Sequence, residues 1–249
     1  MKTVIIGATK GIGRSIARQL AERGDSLFLL GRDLEDLQRS AADLKARASD
    51  ANNEPVAGSA CCDLADFSGF EQALDAADTA LGGIDTVIVT AGMFGTQDAL
   101  QADVELAAAV LNTNFTGTVV LCEHARKRLL EGGGGTLCVL SSVAGDRARK
   151  PVILYGASKA GLSYYLEGLD HKYRSQGLIT VCVKPGFVKT GMTAGLKPPP
   201  FAGEPDAVAA RIIKAIDKGS PVVYAPPMWA LVMLVIRNLP RFVMRKIGF

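Results

Sequence analysis

The sequence predicts an α/β fold in which a doubly wound, parallel, seven-stranded sheet carries helices on both faces within a single domain. Three observations lead there. Seven short β-rich runs alternate with longer helix-like segments. Most of the short runs are continuously apolar, as strands covered on both faces are. The chain has 249 residues, 48% of them apolar, which suits one α/β domain with a sizeable core.

The strand candidates, in chain order, are residues 3–6, 26–30, 56–61, 86–90, 136–140, 179–184 and 222–224. The helix candidates between them are residues 12–23, 34–48, 70–81, 104–130, 154–175 and 205–218. Such alternation implies right-handed crossovers and hence a parallel sheet. No internal repeat and no long linker divides the chain. Residues 1–225 are therefore expected to form the α/β domain, and residues 226–249 a basic, amphipathic tail of that domain. Pro240 is expected to start a second short helix within the tail.

Charged residues make up 21% of the chain and the net charge is +3, too mild a balance to indicate nucleic-acid binding. The first strand begins at Thr3, so no signal segment fits ahead of it, and a cytoplasmic protein is expected. Cys61, Cys62, Cys122, Cys138 and Cys182 lie mostly in or beside apolar stretches and lack metal-pair spacing. Buried, reduced thiols and no metal site are expected of them. The apolar stretch 228–236 is too short to span a bilayer, which takes roughly 20 residues.

The first strand runs into Gly7-Ala8-Thr9-Lys10-Gly11-Ile12-Gly13, and a helix follows. Glycines let the backbone turn tightly and approach a phosphate, and a helix N-terminus offers free N–H groups and a positive dipole. A glycine turn between a first strand and a first helix is the context a dinucleotide site requires. Enzymes that use NAD usually place Asp or Glu at the end of the second strand, where it binds the ribose hydroxyls. This chain has Gly31 and then Arg32 there, with Lys10 in the turn. A guanidinium suited to phosphate and no carboxylate favour NADP(H). The competing reading pairs Arg32 with Asp33 or Asp36.

Tyr155 and Lys159 are four apart at the start of a helix candidate, which places both side chains on one face. An ordinary phenol has a pKa near 10; a nearby ammonium and an oxidised nicotinamide are the charges that would lower it.

With the glycine turn, this pair resembles the short-chain dehydrogenase/reductase family, over about residues 3 to 225. The resemblance implies a Rossmann-type fold and further site residues. Ser142, 13 residues before Tyr155, would hydrogen-bond the substrate carbonyl; its neighbour Ser141 fits that role less well. Asn114, in Asn114-Phe115-Thr116-Gly117, would hold a water leading to Lys159, whereas Asn112 is out of register. Asp63 and Leu64 would lie beside the adenine. Thr90-Ala91-Gly92 resembles the family's Asn-Ala-Gly turn. Thr in place of Asn leaves one turn hydrogen bond open to question and keeps the close backbone approach at Ala91 and Gly92. Pro185, Gly186, Val188 and Thr190 would hold the nicotinamide carboxamide. The implied reaction reduces a ketone to a secondary alcohol: hydride goes to the carbonyl carbon, Tyr155 protonates the oxygen, and Lys159 lowers the tyrosine pKa and contacts the ribose.

Three features bear on the substrate. Arg147, Arg149 and Lys150 lie between Ser142 and Tyr155; they form either a solvated loop or a phosphate site using Arg147 and Arg149. Residues 193–204, with Pro198, Pro199 and Pro200, occupy the family's lid region. In the tail, Arg237, Arg241 and Arg245 recur beside bulky apolar residues, as in a helix lying on an anionic membrane; packing on the core or a dimer interface is the alternative. Residues 140–249 resemble a narrower group, the keto-reductase subunits of decaprenylphosphoryl-ribose 2′-epimerase. That resemblance implies a keto sugar on a prenyl phosphate, at the inner face of the membrane. A general carbonyl, 3-oxoacyl or steroid-like ketoreductase, or a non-catalytic cofactor-binding scaffold or redox sensor, are the competing functions. The family's habit implies a homodimer or homotetramer through helices 104–130 and 154–175.

Overall fold

The computed structural model describes residues 1–47 and 55–248. Seven parallel strands form one sheet: β1 (Lys2–Ile6), β2 (Ser26–Gly31), β3 (Val56–Cys61), β4 (Thr86–Val89), β5 (Gly135–Leu140), β6 (Leu178–Pro185) and β7 (Val222–Ala225). Their spatial order is β3-β2-β1-β4-β5-β6-β7, so the winding reverses between β1 and β4. Thr3 pairs with Leu27 on one side and Thr86 on the other. The expected doubly wound sheet is thus present, with strand ends shifted by a residue or so.

The continuously apolar strands divide their side chains between two layers. Val4, Ile6, Phe28, Leu30, Val87 and Val89 enter one core, while Ile5, Leu27, Leu29 and Ile88 enter the other. This is the two-residue period of a strand read on both faces. Helices α1 (Gly11–Arg23) and α2 (Leu34–Arg47) cover the second core; α3 (Phe70–Leu81) covers the first. Ala48, the expected end of α2, lies outside the described residues.

Two elements differ from expectation. A short helix, α4 (Gln97–Ala102), precedes α5 (Val104–Leu111). Each starts on a local cap: Thr96 Oγ1 accepts from Ala99 N (3.3 Å), and Asp103 Oδ1 accepts from Leu106 N (2.9 Å). The expected helix 104–130 is not uniform. It consists of α5, a π turn (Asn112–Gly117) and α6 (Thr118–Glu131). Together they span 28 residues, long and apolar enough to cross a bilayer by length and composition. Leu121, Cys122, Ala125 and Leu129 of α6 are instead packed in the core. Gly117 is required where the π turn meets the loop after β3, because a Cβ there would lie 1.8 Å from the Leu64 carbonyl oxygen.

Helix α7 (Ile153–Tyr173) packs on the first core through Leu162, Leu166 and Leu169, and α8 (Pro205–Asp217) on the second through Ala209 and Ile212. After β7 come α9 (Met228–Asn238) and α10 (Arg241–Lys246), with Pro240 capping the latter. Met233 and Ile236 bury one face of α9 against Val143.

Candidate active site

The C-terminal ends of β1 and β4 flank the reversal point of the sheet, where α/β folds of this order bind ligands. A cleft of about 700 Å³ opens there. Its floor is the glycine turn. A Cβ on Gly13 would sit 2.2 Å from the Gly7 carbonyl oxygen, so only glycine lets α1 start this close to β1. No side chain caps the N-terminus of α1, which leaves its first N–H groups to a phosphate. These features fit a dinucleotide. The Thr90 hydroxyl lies 3.0 Å from both the Ile6 and Gly7 carbonyl oxygens. It therefore ties β4 to the turn, and the departure from Asn leaves the turn held.

At one end of the cleft Gly31, Arg32, Asp63 and Leu64 line the wall. Asp63 accepts from Ala65 N (2.9 Å), and Leu64 is buried. Arg32 is exposed and makes no ion pair among the described residues. Asp33 instead accepts from Asp36 N (3.0 Å). Asp36 pairs with Lys10 (2.9 Å) and Arg39 (2.7 Å), and hydrogen bonds from Lys10 and then Arg39 hold its carboxyl below the ordinary range. The guanidinium expected to meet a 2′-phosphate is thus unengaged, while Lys10 is shared with Asp36.

The other end gathers Ser142, Tyr155 and Lys159. Tyr155 and Lys159 stand a turn apart on α7, and Ser142 follows β5. All three line the cleft with Thr9, Lys10, Gly11, Ile12, Ala91, Gly92, Pro185, Gly186, Val188 and Thr190. Ser142 Oγ accepts from Ala144 N (3.1 Å) and donates to the Pro185 carbonyl oxygen (3.5 Å). Burial pushes the Tyr155 phenol up to about 12, and the polar Ser142 side chain works against that rise. Lys159 donates to the Leu140 carbonyl oxygen (2.9 Å), 5.8 Å from the centre of the Tyr155 ring. Burial lowers its ammonium to about 8. The expected depression of the tyrosine is therefore not a property of the protein groups by themselves: desolvation outweighs the influence of Ser142, and the Lys159 ammonium is turned to Leu140.

Asn114 sits in the π turn, fully buried. Its Oδ1 accepts from Met93 N and its Nδ2 donates to Met93 O, both at 2.7 Å. A Cβ on Gly92 would lie 3.0 Å from Asn114 Oδ1 and 3.7 Å from Lys159 Nζ. The π turn, a widened turn frequent at functional sites, thus brings the amide beside Lys159. Ser141 faces away from the reacting groups: its Oγ donates to Lys159 O and lies 2.8 Å from Ser163 Oγ.

The loop cations part company. Arg147, expected beside the substrate, instead donates to the Leu239 carbonyl oxygen (2.8 Å), and Lys150 to that of Arg245 (2.7 Å). Both anchor the tail, whose helix ends leave carbonyls without helical partners. Arg149 lines the cleft. Sequence reasoning missed Phe94, edge-on to Tyr155 at 5.2 Å, and Trp229, which lines the cleft from α9. It also missed Gln97, whose Oε1 accepts from Ile153 N (2.8 Å) and Leu154 N (3.2 Å) at the start of α7. Asp146 is a fourth omission: it binds Lys184 (2.6 Å) and accepts from the Tyr224 hydroxyl (2.7 Å). No periodicity or motif marks these four, since each depends on a contact between distant segments.

Comparison with known proteins places this geometry. A family model described as short chain dehydrogenase matches residues 2–200. An uncharacterized oxidoreductase of Mycobacterium tuberculosis is 33% identical over 98% of this chain and 95% of its own length. Carbonyl reductase family member 4 of Xenopus tropicalis is 25% identical over 86% of this chain and 89% of its own. The structure of a short-chain type dehydrogenase/reductase from Mycobacterium ulcerans superposes with a TM-score of 0.81 at 20% identity, covering 98% and 97% of the two chains. A variant of actinorhodin polyketide ketoreductase with NADPH gives 0.78 at 23% identity, covering 89% and 94%. The chain belongs to the short-chain dehydrogenase family, whose members bind NAD(P), and it is an oxidoreductase.

Proposed function

We propose that the protein reduces a ketone to a secondary alcohol with NADPH. The observation that carries this reading is the convergence of Ser142, Tyr155 and Lys159 on one wall of the cleft that the glycine turn floors. Gly7, Thr9, Lys10, Gly11, Ile12 and Gly13 would hold the pyrophosphate side, and Pro185, Gly186, Val188 and Thr190 the nicotinamide side. Bound there, the dinucleotide supplies the hydride. Ser142 holds the carbonyl oxygen by a hydrogen bond, and Tyr155 gives that oxygen its proton. A phenol pushed up to about 12 keeps its proton at neutral pH, the form a reduction needs. Lys159, fixed by Leu140, places a cation beside the phenol, and Asn114 fixes the backbone at Met93 beside it.

Unpaired Arg32 supports the choice of NADPH, with Lys10 as its second cation once released from Asp36. Wild type is expected to bind NADPH at least tenfold more tightly than NADH, about 1.4 kcal/mol, and Arg32→Ala to erase the difference. Equal affinities in wild type would reject the role of Arg32.

A finer reading is a keto sugar carried on a prenyl phosphate, met at the inner face of the cytoplasmic membrane. The cation in the cleft and the apolar, basic tail support it. A product assay with prenyl-phosphorylated keto sugars beside ordinary ketones tests it; reduction of ordinary ketones alone returns the protein to the general carbonyl reductases. Homodimer or homotetramer formation through α5, α6 and α7 is part of the same reading. It is supported by Phe115 and Tyr164, both exposed on that face, and a monomer in sedimentation equilibrium would reject it.

A further inference from the structure

The loop between Ser142 and Tyr155 carries three cations, and the fold spends two of them on the tail. Arg147 donates to Leu239 O at 2.8 Å, and Lys150 to Arg245 O at 2.7 Å. Arg149 remains. It lines the cleft, and its Nε is buried without a hydrogen-bond partner. Among the described residues no carboxylate or carbonyl oxygen answers its guanidinium. Burial disfavours its charge, yet a guanidinium stays protonated in proteins.

The surroundings offer no counter-charge. The acids that line the cleft are Asp33, just before α2, Asp36, in the first turn of α2, and Asp63, on the loop that follows β3. Arg149 stands instead on the segment that joins Ser142 to Tyr155. It caps the short turn Lys150–Val152 that runs straight into α7. The same cleft is also lined by Val152, Phe94, Met192 and Trp229, none of which carries a negative charge. A desolvated, directional fork of N–H donors in a largely apolar wall suits a planar or tetrahedral oxyanion. That anion must arrive with the ligand.

We propose that Arg149 is the anion-recognition residue of the substrate pocket, so that the preferred ketone bears a carboxylate or phosphate within reach of Arg149 when its carbonyl meets Ser142 and Tyr155. The proposal rests on the ketone-reductase reading for its orientation but not for the anion site itself. Arg149 selects substrate; it takes no part in moving the hydride or the proton.

Two measurements separate the anion site from the chemistry. In the first, NADPH-saturated protein is titrated with acetate, inorganic phosphate and neutral acetamide at constant ionic strength, and thermal stability is read. Acetate or phosphate is expected to raise the melting temperature and acetamide to leave it unchanged. The rise should vanish in Arg149→Gln, persist in part in Arg149→Lys, and persist fully in Lys214→Gln, a change at an exposed residue of α8 outside the cleft lining. Retained NADPH binding shows that Arg149→Gln is folded; should it fail to fold, the lysine variant and the acetamide contrast still decide. No anion-specific rise in wild type, or a rise that Arg149→Gln keeps, overturns the proposal.

In the second, kcat/KM is compared for 4-oxopentanoate against its methyl ester, and for dihydroxyacetone phosphate against dihydroxyacetone. At least one pair is expected to favour the anion tenfold or more, mainly through KM, with the preference collapsing in Arg149→Gln. The pair that responds separates carboxylate from phosphate. Turnover with no anion preference overturns the proposal and leaves the reductase reading standing. An Arg149-dependent anion site without turnover of any ketone does the reverse.

Discussion

Burial dominates the titration of Tyr155 and Lys159, and it moves them apart. It pushes Tyr155 up to about 12 and brings Lys159 down to about 8. Across neutral pH the phenol therefore keeps its proton and the lysine is largely charged. Lys159 loses its charge as pH rises through about 8, so kcat for ketone reduction is expected to fall above that value while remaining flat below it. A kcat profile that stays level to pH 10 would remove Lys159's charge from the reaction. Stability carries the opposite sign. Between about 8 and the ordinary 10.5 the unfolded chain binds the Lys159 proton more tightly than the folded one, so this residue's contribution to stability grows with pH there. The gathering of Ser142, Tyr155 and Lys159 in one cleft was legible in the sequence because residue type and spacing mark them. The division between Arg147 and Arg149 was not, because it depends on where the tail's carbonyl groups end.

At the scale of elements, the strands and long helices were legible because their apolar periods differ. A strand buried on both faces reads as a continuous run, and the helices read as stripes. The π turn at Asn112–Gly117 was hidden inside one of those stripes, since the two hydrogen bonds of Asn114 to Met93 join segments 21 residues apart. Helix α4 was hidden by its length of six residues. Its Gln97 makes an identifiable contribution. No side chain of α7's own N-cap closes that helix, and Gln97 accepts two of its first N–H groups. Gln97→Ala is expected to destabilise the fold by about 1–3 kcal/mol, the usual penalty for stranding buried polar groups. It should also lower kcat more than it changes NADPH affinity, because α7 carries Tyr155. Unchanged denaturant midpoint and unchanged kcat would show that α7 needs no such cap.

For the molecule as a whole, the sheet order and the position of the cleft follow from alternation and the crossover rule, so both were within reach of the sequence. The placement of the tail was not. Residues 226–249 contain no acid, and their contacts with the rest of the chain include the Arg147 and Lys150 bonds, the Trp229 Nε1 bond to the Phe201 carbonyl oxygen (3.2 Å) and the packing of Met233 and Ile236. The opposite face of α9 exposes Met228, Leu231, Leu234 and Val235, with Phe242 following on α10. A helix apolar on both faces beside Arg237, Arg241 and Arg245 fits an anionic surface. In flotation assays the protein is expected to rise with phosphatidylglycerol vesicles at low salt, to be released by high salt, and to ignore neutral vesicles. Failure to float with anionic vesicles would assign the tail to protein packing alone.

The reading as a whole turns on Tyr155 acting as the proton donor in a dinucleotide-dependent reduction. The direct measurement is single-turnover oxidation of NADPH with a reducible ketone by wild type and by Tyr155→Phe, alongside NADPH binding by both. The phenylalanine variant is expected to bind NADPH like wild type and to lose at least ~10²-fold in rate. Retention of most of the wild-type rate by that variant would contradict the assignment.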